Sequence, residues 1–212
     1  LIAYRGLDDD FDADFGYNGN IQFAYSQRDP LVADVSGSNG FEIDNNGTGT
    51  GATPKTRPTF SNVTIAGPTG AVATDYRRAS HLRRNNEIAI LNSVFVGSYP
   101  VGLLIDGDSC ISHAQTGKLV VKNSFYHGMT TPLSTTNAAF DIAAYAAANQ
   151  ISVGTNSADA QLVSPFDLNL PNPRPQATSP VLGYADFSDA RLGGGFFTPV
   201  SYAGAFGPSG DW

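Results

Sequence analysis

A chain of 212 residues is long enough for one sizeable core or a single elongated solenoid. Only 15% of it is charged, while 23 Gly and 13 Pro suit a β-rich protein with many tight turns. A net charge of −7 argues against nucleic acid or an anionic membrane as partner, the single Cys110 excludes a disulfide framework, and no apolar run is long enough for a transmembrane helix.

The chain opens on Leu1-Ile-Ala-Tyr4, which reads as the middle of a strand. No signal peptide is visible, so a fragment of a longer precursor is expected. Residues 1–7 read as a strand ending at Arg5-Gly6, followed by an acidic turn with Asp8, Asp9, Asp10, Asp12 and Asp14. Residues 20–26 alternate as another strand, 27–38 as a loop, and 40–45 as a short strand before a Gly/Thr-rich loop to about residue 56.

A nine-residue pattern then occurs at 59–67, 89–97 and 120–128, with Asn62, Asn92 and Asn123 in fourth place and Gly67, Gly97 and Gly128 in ninth. The spacings of 30 and 31 residues mark a solenoid whose coils bury their apolar faces by stacking. The copies are β-branched and aromatic-rich, and each reads as a strand. The asparagines read either as a ladder joining successive coils or as turn residues tolerating left-handed backbone. Residues 40–45, 79–84 and 102–107 form a second family of strands. Alternation points Phe41, Ile43, Leu82, Leu103 and Ile105 inward and Glu42, Asp44, His81, Arg83 and Asp106 outward.

The coils are expected over 1–133 and a helical insertion over 134–152. In the insertion Asn137 caps a helix that packs Phe140, Ile142 and Tyr145 on the solenoid. Residues 153–212 read as a closing coil and cap that protects terminal edge strands. All of this is one domain.

The acidic turn is the most specific chemical feature. Crowded carboxylates repel one another, and either calcium or pairing with Arg5, Arg28, Arg83 or Arg84 relieves this. His81, Arg83 and Arg84 beside Glu42 and Asp44 read either as a site for an acidic sugar or as a charge ladder across coils. His113 and His127 stand apart, so zinc is not expected. Cys110 reads as part of a polar loop with no nucleophilic role. Tyr17, Tyr25, Tyr76, Tyr99 and Tyr126 offer flat faces for sugar rings if exposed.

The segments 7–12, 37–45, 81–84 and 197–206 resemble surface proteins of Bacteroidota exported by the type IX secretion pathway. That resemblance implies a secreted or outer-membrane-surface location in a Gram-negative bacterium, and a chain continuing past Trp212 into a sorting domain. More distantly, the chain resembles calcium-dependent pectate lyases with a right-handed parallel β-helix, an all-β solenoid. There an Asp-Asp-x-x-Asp turn, here Asp8, Asp9 and Asp12, supplies calcium ligands, and a further carboxylate comes from a preceding coil that this chain lacks. The lysine base expected just before Gly40-Phe41 is replaced by Asn39, and an amide is no base.

The expected function is therefore structural, adhesive or glycan-binding at the cell surface. Polysaccharide or other surface components are the partners, and self-association runs end to end. The alternative is a calcium-dependent lyase of acidic glycans, with Arg83 or Arg84 neutralising the uronate and His81 or Lys55 as base.

Overall fold

The computed structural model describes residues 1–209; Trp212, and any continuation past it, lies outside them. The first strand, β1 (Ile2–Tyr4), leads into a coil of β2 (Phe11–Ala13), β3 (Asn20–Gln22) and β4 (Tyr25–Gln27). The next coil holds β5 (Phe41–Ile43), β6 (Thr59–Ser61) and β7 (Thr64–Ala66), and the one after it β8 (Arg78–Leu82), β9 (Ala89–Leu91) and β10 (Val94–Val96). Then come β11 (Val101–Ile105), helix α1 (Asp108–Gln115), β12 (Val120–Lys122) and β13 (Phe125–His127). The last coil is β14 (Thr131–Thr135), helix α2 (Ile142–Ala148) and β15 (Ser152–Gly154).

The coils stack their strands into three parallel sheets, the last coil adding to sheets A and B only. Sheet A is β1-β4-β7-β10-β13-β15, sheet B is β14-β11-β8-β5-β2, and sheet C is β12-β9-β6-β3. The architecture is a right-handed parallel β-helix, as the repeat period and the lyase resemblance imply.

The nine-residue pattern is two strands, not one. It turns from sheet C to sheet A at its Asn, and residues 20–26 turn likewise at Phe23. The corner residues Phe23, Asn62, Asn92, Asn123 and Gln150 all have left-handed backbone, with φ of 59°, 56°, 52°, 50° and 52°. Asn is enriched there because its short polar side chain compensates the Cβ crowding that disfavours that region. The asparagines do not form a ladder with one another. Asn92 instead holds Asp186 with both ends of its amide, donating to the carbonyl (3.1 Å) and accepting from the N–H (2.9 Å). Asn62 Nδ2 donates to the Tyr202 carbonyl at 2.9 Å.

Inside the coil the expected inward residues Phe41, Ile43, Leu82, Leu103 and Ile105 are fully buried. Aromatic rings continue the stack: Phe41 meets Phe11 on the neighbouring sheet B strand at 5.0 Å and Phe60 of sheet C edge-on at 4.9 Å, and within sheet A Phe95 stacks on Tyr126 at 4.3 Å. Such contacts and the aliphatic burial around them dominate stability.

Two helices punctuate the coil. The segment around Cys110 is helix α1, not a polar loop, and burial pushes the thiol up to about 11. Helix α2 begins later than expected, because Asp141 is its cap and accepts from Ala144 N–H at 2.9 Å. Asn137 instead holds the preceding turn through Ala139 N–H. Helix α2 stands where sheet C would add its next strand: Val121 N–H donates to the Tyr145 hydroxyl, and Asn123 N–H to the Asn149 carbonyl.

The tail does not complete a further coil. After the antiparallel pair β16 (Leu162–Ser164) and β17 (Asn172–Pro175), it runs back along the flank. Ala160, Leu162, Val181 and Ala203 cover Val94, Val96 and Phe125 on the outside of sheet A. Leu192 and Phe197 cover Ala89 and Leu91 on the outside of sheet C. The tail covers apolar outward positions of sheets A and C, whereas the outward row of sheet B, Asp12, Glu42, His81 and Leu104, is mostly polar.

Candidate functional site

Sheet B keeps its outer face clear of the tail. Strand register places Asp12 beside Glu42 and Glu42 beside His81, and His81 pairs with Leu104 on the next strand. The row Asp44, Arg83, Asp106 runs alongside at the strand ends.

His81 is buried, and its Nε2 lies 2.8 Å from Asp106 Oδ2. Burial lowers the imidazole, so the ring is neutral and its Nε2–H donates to Asp106. That bond holds the Asp106 carboxyl below its usual range. The other nitrogen, Nδ1, faces Glu42 Oε1 at 3.9 Å and has no hydrogen-bond partner among the described residues. Burial raises Glu42, although Arg83 partly opposes this.

Arg83 joins the two acids of β5 and its exit. It binds Glu42 through Nη2 and Asp44 through Nε at 2.8 Å. Arg84 reaches the same Asp44 at 2.7 Å. The charge ladder across coils thus forms between Arg83 and Asp44, while Asp106 belongs to His81. Lys55 lies off this face, its Nζ donating to the Asn85 carbonyl at 3.1 Å.

The acidic turn is pulled apart rather than gathered. Asp9 Oδ1 accepts from the Asn39 N–H at 2.5 Å and from its side-chain amide at 3.0 Å. The same amide continues to Glu42 at 3.1 Å, so Asn39 links the turn to the sheet B row. Asp10 points inward to Arg28, 2.7 Å away, and both side chains are fully buried. Asp12 projects from β2, exposed. Arg5 pairs with Asp29 at 2.5 Å instead of with the turn. Calcium needs six to eight oxygens around one point. Among the described residues no three His, Cys, Asp or Glu side chains are so placed. Asp8, Asp9 and Asp12 are thus not gathered by their side chains around one point, and no chemical step is assigned to the ion.

The tyrosines correct the idea of an aromatic sugar platform. Tyr25, Tyr76, Tyr99 and Tyr126 are buried, and only Tyr17 of the five is exposed. Partners inside the fold explain this for three of them. Tyr76 donates to the Asp29 or Val32 carbonyl, Tyr126 meets Ser80 at 3.0 Å, and Tyr25 bonds Gln27 at 2.7 Å. Sequence alternation cannot separate a ring on the inside of a coil from one outside it. Two site residues escaped the sequence reading. Asn39 was legible only as a missing base, and Arg78, a half-buried cation close enough to Asp106 to feel its charge, carried no signal beyond its position at a strand start.

No curated protein and no solved structure matches this chain. The model of a pectate-lyase-like β-helix domain matches residues 1–164, past the last coil strand β15 to the end of β16. With three stacked parallel sheets and that match over most of its length, the chain belongs to the pectate-lyase-like β-helix family.

Proposed function

We propose that this chain is a carbohydrate-binding module that holds a glycan along the outer face of sheet B without cleaving it. The observation that carries this reading is the division of the surface. The tail covers apolar outer positions on sheets A and C, while sheet B presents a polar row. Asp12, Glu42 and Asp106 offer carboxylate oxygens that accept from sugar hydroxyls, and charge-assisted bonds of this kind are the stronger ones.

The non-catalytic part of the reading rests on the same side chains. Arg83 and Arg84, which a lyase would aim at a uronate carboxylate, are already neutralised by Glu42 and Asp44. His81 gives Nε2 to Asp106, and its Nδ1 is shut away from solvent. A base must reach the proton that it removes. Asn39 holds Asp9 and Glu42 and has no basic lone pair. As part of the same proposal, we place the protein at the outer surface of a Gram-negative bacterium, exported by the type IX route; the likeness of its segments to such proteins supports this.

The test is affinity electrophoresis in gels cast with polygalacturonate or with a soluble β-glucan, beside an ultraviolet assay for unsaturated ends, each with and without calcium. The expected result is retardation with no unsaturated product, and a roughly tenfold loss (~1.4 kcal/mol) for Asp12→Ala. Product formation would make the protein a lyase. Migration indifferent to every polysaccharide would leave a purely structural role.

A further inference from the structure

Beside the sheet B face, at the corner towards sheet C, lies a cleft of about 220 Å³ lined by Phe15, Asn45, Asn46, Ala52, Thr53 and Pro54. Three observations single it out. First, Phe15 is 75% exposed, well above the other exposed rings Tyr4, Tyr17 and Phe196 at 48%, 43% and 54%. Second, Phe15 is held in left-handed backbone, φ 44°, which a bulky side chain rarely adopts. Strained residues that persist in folded proteins cluster at ligand sites. Third, the cleft is preformed. Phe15 N–H donates to the Asn45 carbonyl (3.1 Å) and Gly16 N–H to Thr56 Oγ1 (2.9 Å). Asn45 ties its own loop, donating to the Thr50 and Ala52 carbonyls and accepting from Thr56 N–H. Gly16 is packed so closely on Pro54 that a Cβ there would come within 2.7 Å of it.

The cleft is also continuous with the polar row. Asp14 immediately precedes Phe15, and Asp12 lies on β2 just before. The loop that forms the far wall packs Gly49 against Arg84, the partner of Asp44. A flat apolar ring and a proline on one side, with amide and hydroxyl groups at the rim, match the amphipathic faces of a pyranose ring.

We propose that Phe15 and Pro54 form a sugar-stacking subsite that takes one pyranose ring of the glycan lying along sheet B. This rests on the glycan-binding reading and adds an anchor to it. It also implies that Phe15 is retained at the expense of the fold. An exposed ring at a left-handed position contributes little packing, and Asn suits that backbone better.

The experiment uses the full chain in the polygalacturonate and β-glucan gels, comparing wild type, Phe15→Asn, Phe15→Trp and Asp12→Ala, with melting temperatures for each. Phe15→Asn should weaken retardation at least fivefold while melting at or above the wild-type temperature, and Phe15→Trp should keep binding. Full retardation of Phe15→Asn, with Asp12→Ala weakened, overturns the subsite and leaves the face reading standing. A lower melting temperature for Phe15→Asn overturns it also, because the ring then serves the fold. A wild type retarded in neither gel removes both readings.

Discussion

Asp9 is half-buried at the edge of the acidic turn, and burial pushes its carboxyl up to about 7 despite the two N–H groups that Asn39 offers it. The folded-state value lies above the ordinary 3.8, so folding favours the protonated acid. Its contribution is full below about pH 4 and is lost as pH rises towards 7. Asp9→Asn keeps an oxygen for Asn39 and removes the charge. It should raise the melting temperature at pH 8 by about 2–4 °C and gain nothing at pH 4, read from thermal scans across that range. A calcium ligand at Asp9 would give the opposite sign in calcium buffer. His81 titrates the other way. Its folded value lies below 6.5, so its contribution is present above pH 6.5 and lost as pH falls, and His81→Gln should flatten that acid limb of the melting profile. Asp10 and Arg28 form the pair most withdrawn from water, with Arg28 over the Tyr76 ring at 5.1 Å. Arg28→Met leaves a buried carboxylate alone and should cost about 3–5 kcal/mol by denaturant titration, and adding Asp10→Leu should recover most of it.

At the scale of elements, the corner between sheets C and A has two separable jobs. Asn92 adopts φ 52° and also holds Asp186 of the tail by two hydrogen bonds. Asn92→Gly keeps the backbone and loses the tail contacts, a loss of about 1–2 kcal/mol. Asn92→Ala loses both and should be worse by roughly 1–2 kcal/mol more. In each variant, amide exchange should quicken around residue 186 before it does in β10. Equal stability of the Ala and Gly variants would show that left-handed backbone is not what Asn supplies. This corner also explains how far the sequence could be read. The Asn register and spacing gave away the coil, and alternation sorted Glu42 and His81 from Phe41 and Leu82. The bend inside the nine residues was hidden because strands of three residues on two sheets have the same composition as one strand of eight. Helix α1 was hidden because Asp108-Ser-Cys-Ile is unremarkable in helix propensity and is packed by tertiary contacts of Cys110, Ile111 and Ala114. The site was half legible for a similar reason. A column of charges follows from register, but which acid takes which base depends on side-chain reach across coils, so His81 chose Asp106 and Arg83 chose Glu42 and Asp44.

For the whole molecule, the asymmetry between coil and tail decides what stays stable and what stays free. The family match ends at residue 164, and Val181, Leu192, Phe197 and Ala203 beyond it supply most of the cover for sheets A and C, joined by Ala160 and Leu162 just before. At the far end of the coil, α2 takes the position of the next sheet C strand, so stacking of copies by strand addition is blocked there unless the helix leaves. A chain ending at residue 164 would expose Val94, Val96, Phe125 and Leu91. At about 1.5–3 kcal/mol for each buried side chain, this is on the order of the whole stability of a domain. The truncated chain should form large assemblies in light scattering, whereas Val94→Thr with Val96→Thr in the same truncation should reduce them. Glycan retardation should survive in whatever monomer that yields, because the tail holds the corner asparagines and sheet A. A truncation that is monomeric and as stable as the full chain would mean that the outer valines need no cover. The tail would then have to be explained by what it touches beyond this molecule.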